Sequence, residues 1–273
     1  MLEMLRDMFS YGFMIRALVV GTLVSLCAAL LGVTLVLKRY SLIGDGLSHV
    51  GFGALSIALA MNLAPLQVAI PVVVLAAFLL LRITEKSRIK ADAAIALIST
   101  AALAAGVIVT SLSTGMNVDV YNYMFGSVLA MSREDVALSV ALCAVVLALY
   151  GFFYHRIFAV TFDETFARAT GIRVDAYNML IALLTAVTIV LGMRMMGTML
   201  ISSLVIFPAL TAMRVFRRFR QVMIASALIS VCCFFVGITV SFMLSIPAGA
   251  SVVMANAAAF VAFWVAGKGM KIN

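Results

Sequence analysis

The 273-residue sequence is 65% hydrophobic and only 11% charged, with a mean hydropathy of +1.21, more apolar surface than a water-soluble domain could hide. Its net charge of +8 does not point to nucleic acid, because the basic residues stand in short clusters between apolar runs instead of on one soluble face. The four cysteines form no CxxC pair and lie inside apolar runs, which excludes a disulfide framework or a structural zinc site.

Residues 1–16 carry Glu3, Arg6 and Asp7 and lack the basic start and small-residue cleavage site of a signal peptide, so the first apolar run is expected to remain in the mature chain. Apolar runs between charged or Gly/Pro breaks predict helices near 14–37, 43–62, 66–83, 91–113, 135–155, 176–193, 196–213, 221–244 and 248–267. The expected fold class is all-α, a polytopic helical membrane protein of about nine transmembrane helices in a single domain, 1–273.

Basic residues set the expected orientation, since loops rich in Lys and Arg stay in the cytoplasm. Lys38, Arg39, Arg82, Lys86, Arg88, Lys90, Arg156, Arg168, Arg173, Arg214, Arg217, Arg218, Arg220, Lys268 and Lys271 fall on one side. Arg6, Arg16, Arg133 and Arg194 fall on the other, so the N-terminus is expected outside and the C-terminus inside.

Two connections are longer than turns. Residues 114–134 are partly apolar and read as an extracytoplasmic re-entrant or interfacial segment. Residues 156–175 read as a short cytoplasmic helix, with Thr161 as its cap, Asp163 and Glu164 in its first turn and Gly171 as its stop.

Five segments then occur in a fixed order: KRYSLIGDGLSHVGFGAL (38–55), VDVYNYMFGSVLAMSRED (118–135), FDETFARATGI (162–172), GTMLISSLVIFPALTAMR (197–214) and PAGASVVM (247–254). Together they resemble the permeases of the zinc, manganese and iron ABC importers, with the second segment and the basic loop after ALTA most like the zinc type. The resemblance implies a homodimer in the bacterial cytoplasmic membrane, two cytoplasmic ATP-binding subunits and an extracytoplasmic metal-binding protein. It implies that Phe162, Asp163, Glu164 and Gly171 belong to a coupling helix that docks on the ATPase. No permanently bound cofactor is expected, only the transported divalent ion, and without a GxxxxGK[ST] loop this chain would use ATP through its partner alone.

Asp45 and His49 stand four residues apart at a helix start, on one face and within reach of one ion. A carboxylate oxygen and an imidazole nitrogen suit zinc, manganese and iron, and ionisable groups inside a span usually mark a pathway. The other reading is an Asp–His pair that satisfies itself, or a helix start lying at the membrane surface. Asp119 is a possible metal entry point beside Tyr121 and Tyr123, or a surface carboxylate. Asp92 reads as structural, paired with Arg88 or Lys90, and His155 as a surface group. The methionines Met193, Met195, Met196 and Met199 read as packing, not as copper ligands. A siderophore or cobalamin permease, an intramembrane metalloprotease and a stand-alone carrier are the alternatives. The protease would need an HExxH-like set, and the chain has only two histidines, far apart.

Overall fold

In the computed structural model, residues 10–86, 91–113, 126, 132–198 and 201–269 are described. They form α1 (Gly12–Leu37), α2 (Ile43–Ala60), α3 (Pro65–Lys86), α4 (Ala91–Leu112), α5 (Arg133–Phe152), α6 (Tyr154–Phe162), α7 (Glu164–Ala169), α8 (Val174–Met196), α9 (Ile201–Met213), α10 (Phe219–Leu244) and α11 (Ala248–Gly269). Eight of these helices are long and apolar enough to cross a membrane. The run expected at 196–213 is different. Residues up to Met196 extend α8, Gly197 breaks it with a left-handed φ of 88°, and α9 has only 13 residues.

Burial sorts the spans into layers. Within their most apolar windows α1, α2 and α8 are 67%, 72% and 72% buried, whereas α4, α5 and α11 are 28%, 22% and 22% buried. The first three therefore form the centre of the bundle, and the other three present most of their surface to the surroundings. An all-round apolar helix of this kind is what a lipid solvent permits.

Small residues and hydroxyls hold the central layer together, as membrane helices require when hydrocarbon offers no hydrophobic drive between them. Ser230 donates to the Ser25 carbonyl at 3.0 Å and Ser226 to that of Ala29 at 3.4 Å, fixing α10 on α1. Thr34 and Tyr150 share a buried hydrogen bond of 2.8 Å between α1 and α5. At Gly32 a methyl group would lie 2.0 Å from the carbonyl oxygen of Val205, so α1 and α9 touch backbone to backbone there. Cys27 and Cys143 are buried and unbridged. Met193 and Met196 are fully inside the core, which agrees with the packing reading for those two.

Two turns carry the chain between layers. After α1, the amides of Arg39 and Tyr40 bond back to Val36 and Leu35, with Arg39 in the left-handed region at φ 60°. After α7, Gly171 and Ile172 bond back to Arg168 and Ala167 in the same pattern, with Gly171 at φ 82°. The stop assigned to Gly171 is therefore present, but the cap is not Thr161. The Thr161 hydroxyl donates to the Ile157 carbonyl, because α6 continues to Phe162, and Asp163 caps α7 by accepting from the Phe166 amide at 2.9 Å.

Candidate functional site

Helix α2 is wedged between neighbours on three sides. A methyl group at Gly44 would lie 3.6 Å from Cα of Ser202 in α9, one at Gly46 2.5 Å from Ile95 in α4, and one at Gly51 2.5 Å from Met193 in α8. These contacts fix its place among α4, α8 and α9. Met193 adjoins Gly192, which lies against Val24 of α1, and α9 meets α1 at Gly32. Asp45 and His49 lie in the first two turns of α2, whose first residue, Ile43, lines a cavity together with Leu35 and Lys38 at the end of α1.

The two side chains share the stripe of α2 left open between these contacts. His49 Nε2 is 3.7 Å from Asp45 Oδ2, with the side chains 19% and 47% exposed respectively. At that separation the two side chains are close enough for an ion pair but too far apart for a hydrogen bond. His49 Nδ1 is buried and has no hydrogen-bond partner among the described residues. Ser48 turns its hydroxyl to the Asp45 backbone carbonyl and not to the carboxylate. Among the described residues no cluster of three or more His, Cys, Asp or Glu side chains is present. One chain therefore offers two ligands on an open face, half of a tetrahedral set.

At the end of the bundle that carries Lys38, α6 and α7 pack on the start of α8. Val160, Ala167 and Val174 make a separate buried cluster, and Arg156 donates to the Tyr177 hydroxyl while stacking on its ring. Phe162 packs edge-on against Phe219 and against Phe158, yet stays 58% exposed. Phe166, which sequence reasoning did not single out, is 64% exposed on α7, past the break at Asp163. Asp163 is spent on the α7 cap. Glu164 turns inward, accepting from Lys38 Nζ at 2.6 Å and from Asn178 Nδ2 at 3.3 Å. Burial alone would push the Glu164 carboxyl up, but the Lys38 ammonium outweighs it, with Asn178 and Arg168 adding, and the group is held below the ordinary carboxylate range.

The remaining candidates separate from these two places. Asp119, Tyr121, Tyr123, Arg88 and Lys90 lie outside the described residues, as does most of the 114–134 segment. Its last residues are described: Ser132 caps α5 in a reciprocal box with Asp135. Asp92 and His155 are exposed, and His155 contacts the Tyr154 ring edge-on. Lys38 was legible only as a topological charge; a signal for its role would have been its place beside an apolar span with a carboxylate-bearing loop on the same side.

The pattern of the ABC 3 transport family matches residues 10–266. Among curated relatives, the "Manganese import system permease protein ScaB" of Streptococcus gordonii is 27% identical over 267 residues, covering 97% of this chain and 96% of its own length. The "Probable iron transport system membrane protein" of Haemophilus influenzae is 32% identical over 257 residues, 93% of this chain and 89% of its own. Among solved structures, a chain of "PsaBC from Streptococcus pneumoniae in complex with Fab" superposes with a TM-score of 0.86 at 27% identity, over 96% of this chain and 94% of that one. The chain is thus a permease of this architecture and not an enzyme, and it belongs to the ABC 3 transport family.

Proposed function

We propose that the chain is the permease subunit of an ATP-driven importer that moves a divalent transition metal into the bacterial cytoplasm. The observation that carries this is the Asp45–His49 pair: two metal-ligating groups one turn apart on α2, with the Asp45 side chain 47% exposed and His49 Nδ1 buried without a hydrogen-bond partner among the described residues. Two such stripes across a twofold axis would supply two carboxylates and two imidazoles to one ion. A homodimer is part of the proposal for that reason, with two ATP-binding subunits at the end carrying α6 and α7 and an extracytoplasmic metal-binding protein at the other. The excess of basic loops puts the C-terminus inside and the N-terminus outside.

For the ion, the relatives named for manganese and iron support a metal of that kind. The zinc reading is favoured by the 118–135 segment, and an Asp–His set suits all three ions. Uptake of radioactive manganese, iron(II) and zinc, each against the other two as competitors, decides among them. His49→Ala is expected to abolish uptake while the protein still accumulates in the membrane. Uptake at the wild-type rate in that variant removes the pair from the mechanism.

A further inference from the structure

Lys38 stands at the end of α1, where a cation usually serves the helix's own last carbonyls. It does not do so. Its ammonium reaches sideways to the Val160 carbonyl of α6 at 3.2 Å and to Glu164 of α7 at 2.6 Å, with its side chain only 6% exposed. The same Glu164 oxygen accepts from Asn178 in the second turn of α8. One junction thus ties α1 and α8, two of the three central spans, to the small body made by α6 and α7.

Val160 of α6 and Ala167 of α7 share a small buried cluster with Val174 of α8, separate from the main core, so the segment is joined to α8 by packing as well as by the junction. Beside the junction lies a cavity of about 20 Å³ lined by Lys38, Asn178, Tyr40, Ile43, Leu35 and Ile181, room for one water molecule. The buried Asn178 Oδ1, with no hydrogen-bond partner among the described residues, adds a polar group to this spot. The junction is thus hydrogen-bonded on one side and borders a small, mostly apolar cavity on the other. From Lys38 the chain has little slack: Arg39 reverses it in the left-handed region, Ile43 opens α2, and Asp45 follows seven positions after Lys38.

We propose that Lys38 is a positioning residue for transport, the link through which displacement of α6 and α7 is delivered to α1 and α8 and from them to the Asp45–His49 helix. This rests on the reading that the ATPase docks on the segment around Phe162–Gly171. A plain structural bolt would stabilise the fold without setting how much ion moves per ATP. A transmitting link sets that ratio.

The test uses the assembled transporter in liposomes, with ion uptake and ATP hydrolysis measured on the same preparation and normalised to bound ATPase. Lys38→Met keeps the aliphatic stem and removes the charge. It is expected to co-purify with the ATPase at the wild-type ratio and to import at least fivefold less ion per ATP hydrolysed, with Lys38→Arg recovering at least half. Glu164→Gln is expected to lower the same ratio. An unchanged ratio in Lys38→Met overturns the proposal. So does a parallel fall of uptake, hydrolysis and folded protein in both variants, the behaviour of a bolt. Phe166→Asp tests the docking reading separately: if the ATPase still binds that variant at full stoichiometry, docking elsewhere is shown, whatever Lys38 does.

Discussion

Arg194, one turn from the end of α8, and Asp135, in the first turn of α5, form an ion pair 2.8 Å across with their side chains only 10% and 17% exposed. Asp135 also accepts from the amide and hydroxyl of Ser132, so one carboxylate caps α5 and anchors α8. Removing one partner of such a pair leaves a charge stranded in a poorly solvated place. Arg194→Met or Asp135→Asn alone is expected to cost about 1–3 kcal/mol, and the double variant less than the sum of the two. Thermal unfolding of the four proteins in detergent gives the coupling directly; additive losses would mean the two side chains do not interact.

Packing around the Asp45–His49 helix makes a second expectation. A methyl group at Gly53 would meet the Ala102 carbonyl oxygen at 2.6 Å, and backbone cannot step aside cheaply. Gly53→Ala should therefore destabilise by roughly 1–3 kcal/mol through overpacking. At Gly151, in the last turn of α5, nothing lies within 4 Å of an added methyl. Gly151→Ala should be neutral or stabilise by up to about 1 kcal/mol, since alanine favours the helix. Equal effects of the two substitutions on the unfolding temperature would contradict this picture of α2 against α4.

Acid should loosen the α6–α7 body in a defined window. Glu164 is held below its ordinary value, so its contribution to stability is fully present above the unfolded carboxyl value of about 4.3 and disappears as pH falls through the lower folded value. Wild type should exceed Glu164→Gln in thermal stability at pH 6–7, and the gap should close below about pH 4. A gap that stays constant from pH 7 to pH 3 would show that the charge on Glu164 contributes nothing.

Ion binding should be visible without transport. A ligand held only by the folded dimer stabilises it by about 2.7 kcal/mol at a concentration 100 times its dissociation constant. The transported metal should raise the unfolding temperature of the wild-type permease, while Asp45→Asn and His49→Ala should lose the shift. Retention of the full shift in both variants would place the ion elsewhere.

Much of this was readable from the chain because lipid enforces long apolar runs, and the eight spanning helices fall within a few residues of their predicted places. Helix α9 was overestimated for a concrete reason. The apolar text continues from Met193 to Met213, and what interrupts it is the left-handed backbone of Gly197, which hydropathy does not register. The spacing of Asp45 and His49 was legible, but the neighbours of their helix were not, because Gly44 and Gly51 meet Ser202 and Met193 far along the chain. The same holds for Lys38 with Glu164 and Arg194 with Asp135, which are 126 and 59 residues apart. As isolated letters they read only as charges that orient a membrane protein. The cap fell to Asp163 and not Thr161 because α6 runs unbroken to Phe162, and aspartate is also the better N-cap of the two.

The unequal burial of the spans also shapes how the chain can vary. Leu97 and Leu112 on α4, Val145 on α5 and Val261 and Val265 on α11 point away from the protein's own core, so a neighbour of similar oiliness serves as well at each of these sites. Positions such as Val20, Val24 and Val33 on α1 or Ile189 and Val190 on α8 have no such freedom, being wholly enclosed. A saturation library should therefore divide by helix: substitutions among Leu, Ile, Val and Phe silent over the outer three, and a narrow choice of side chains over the inner three.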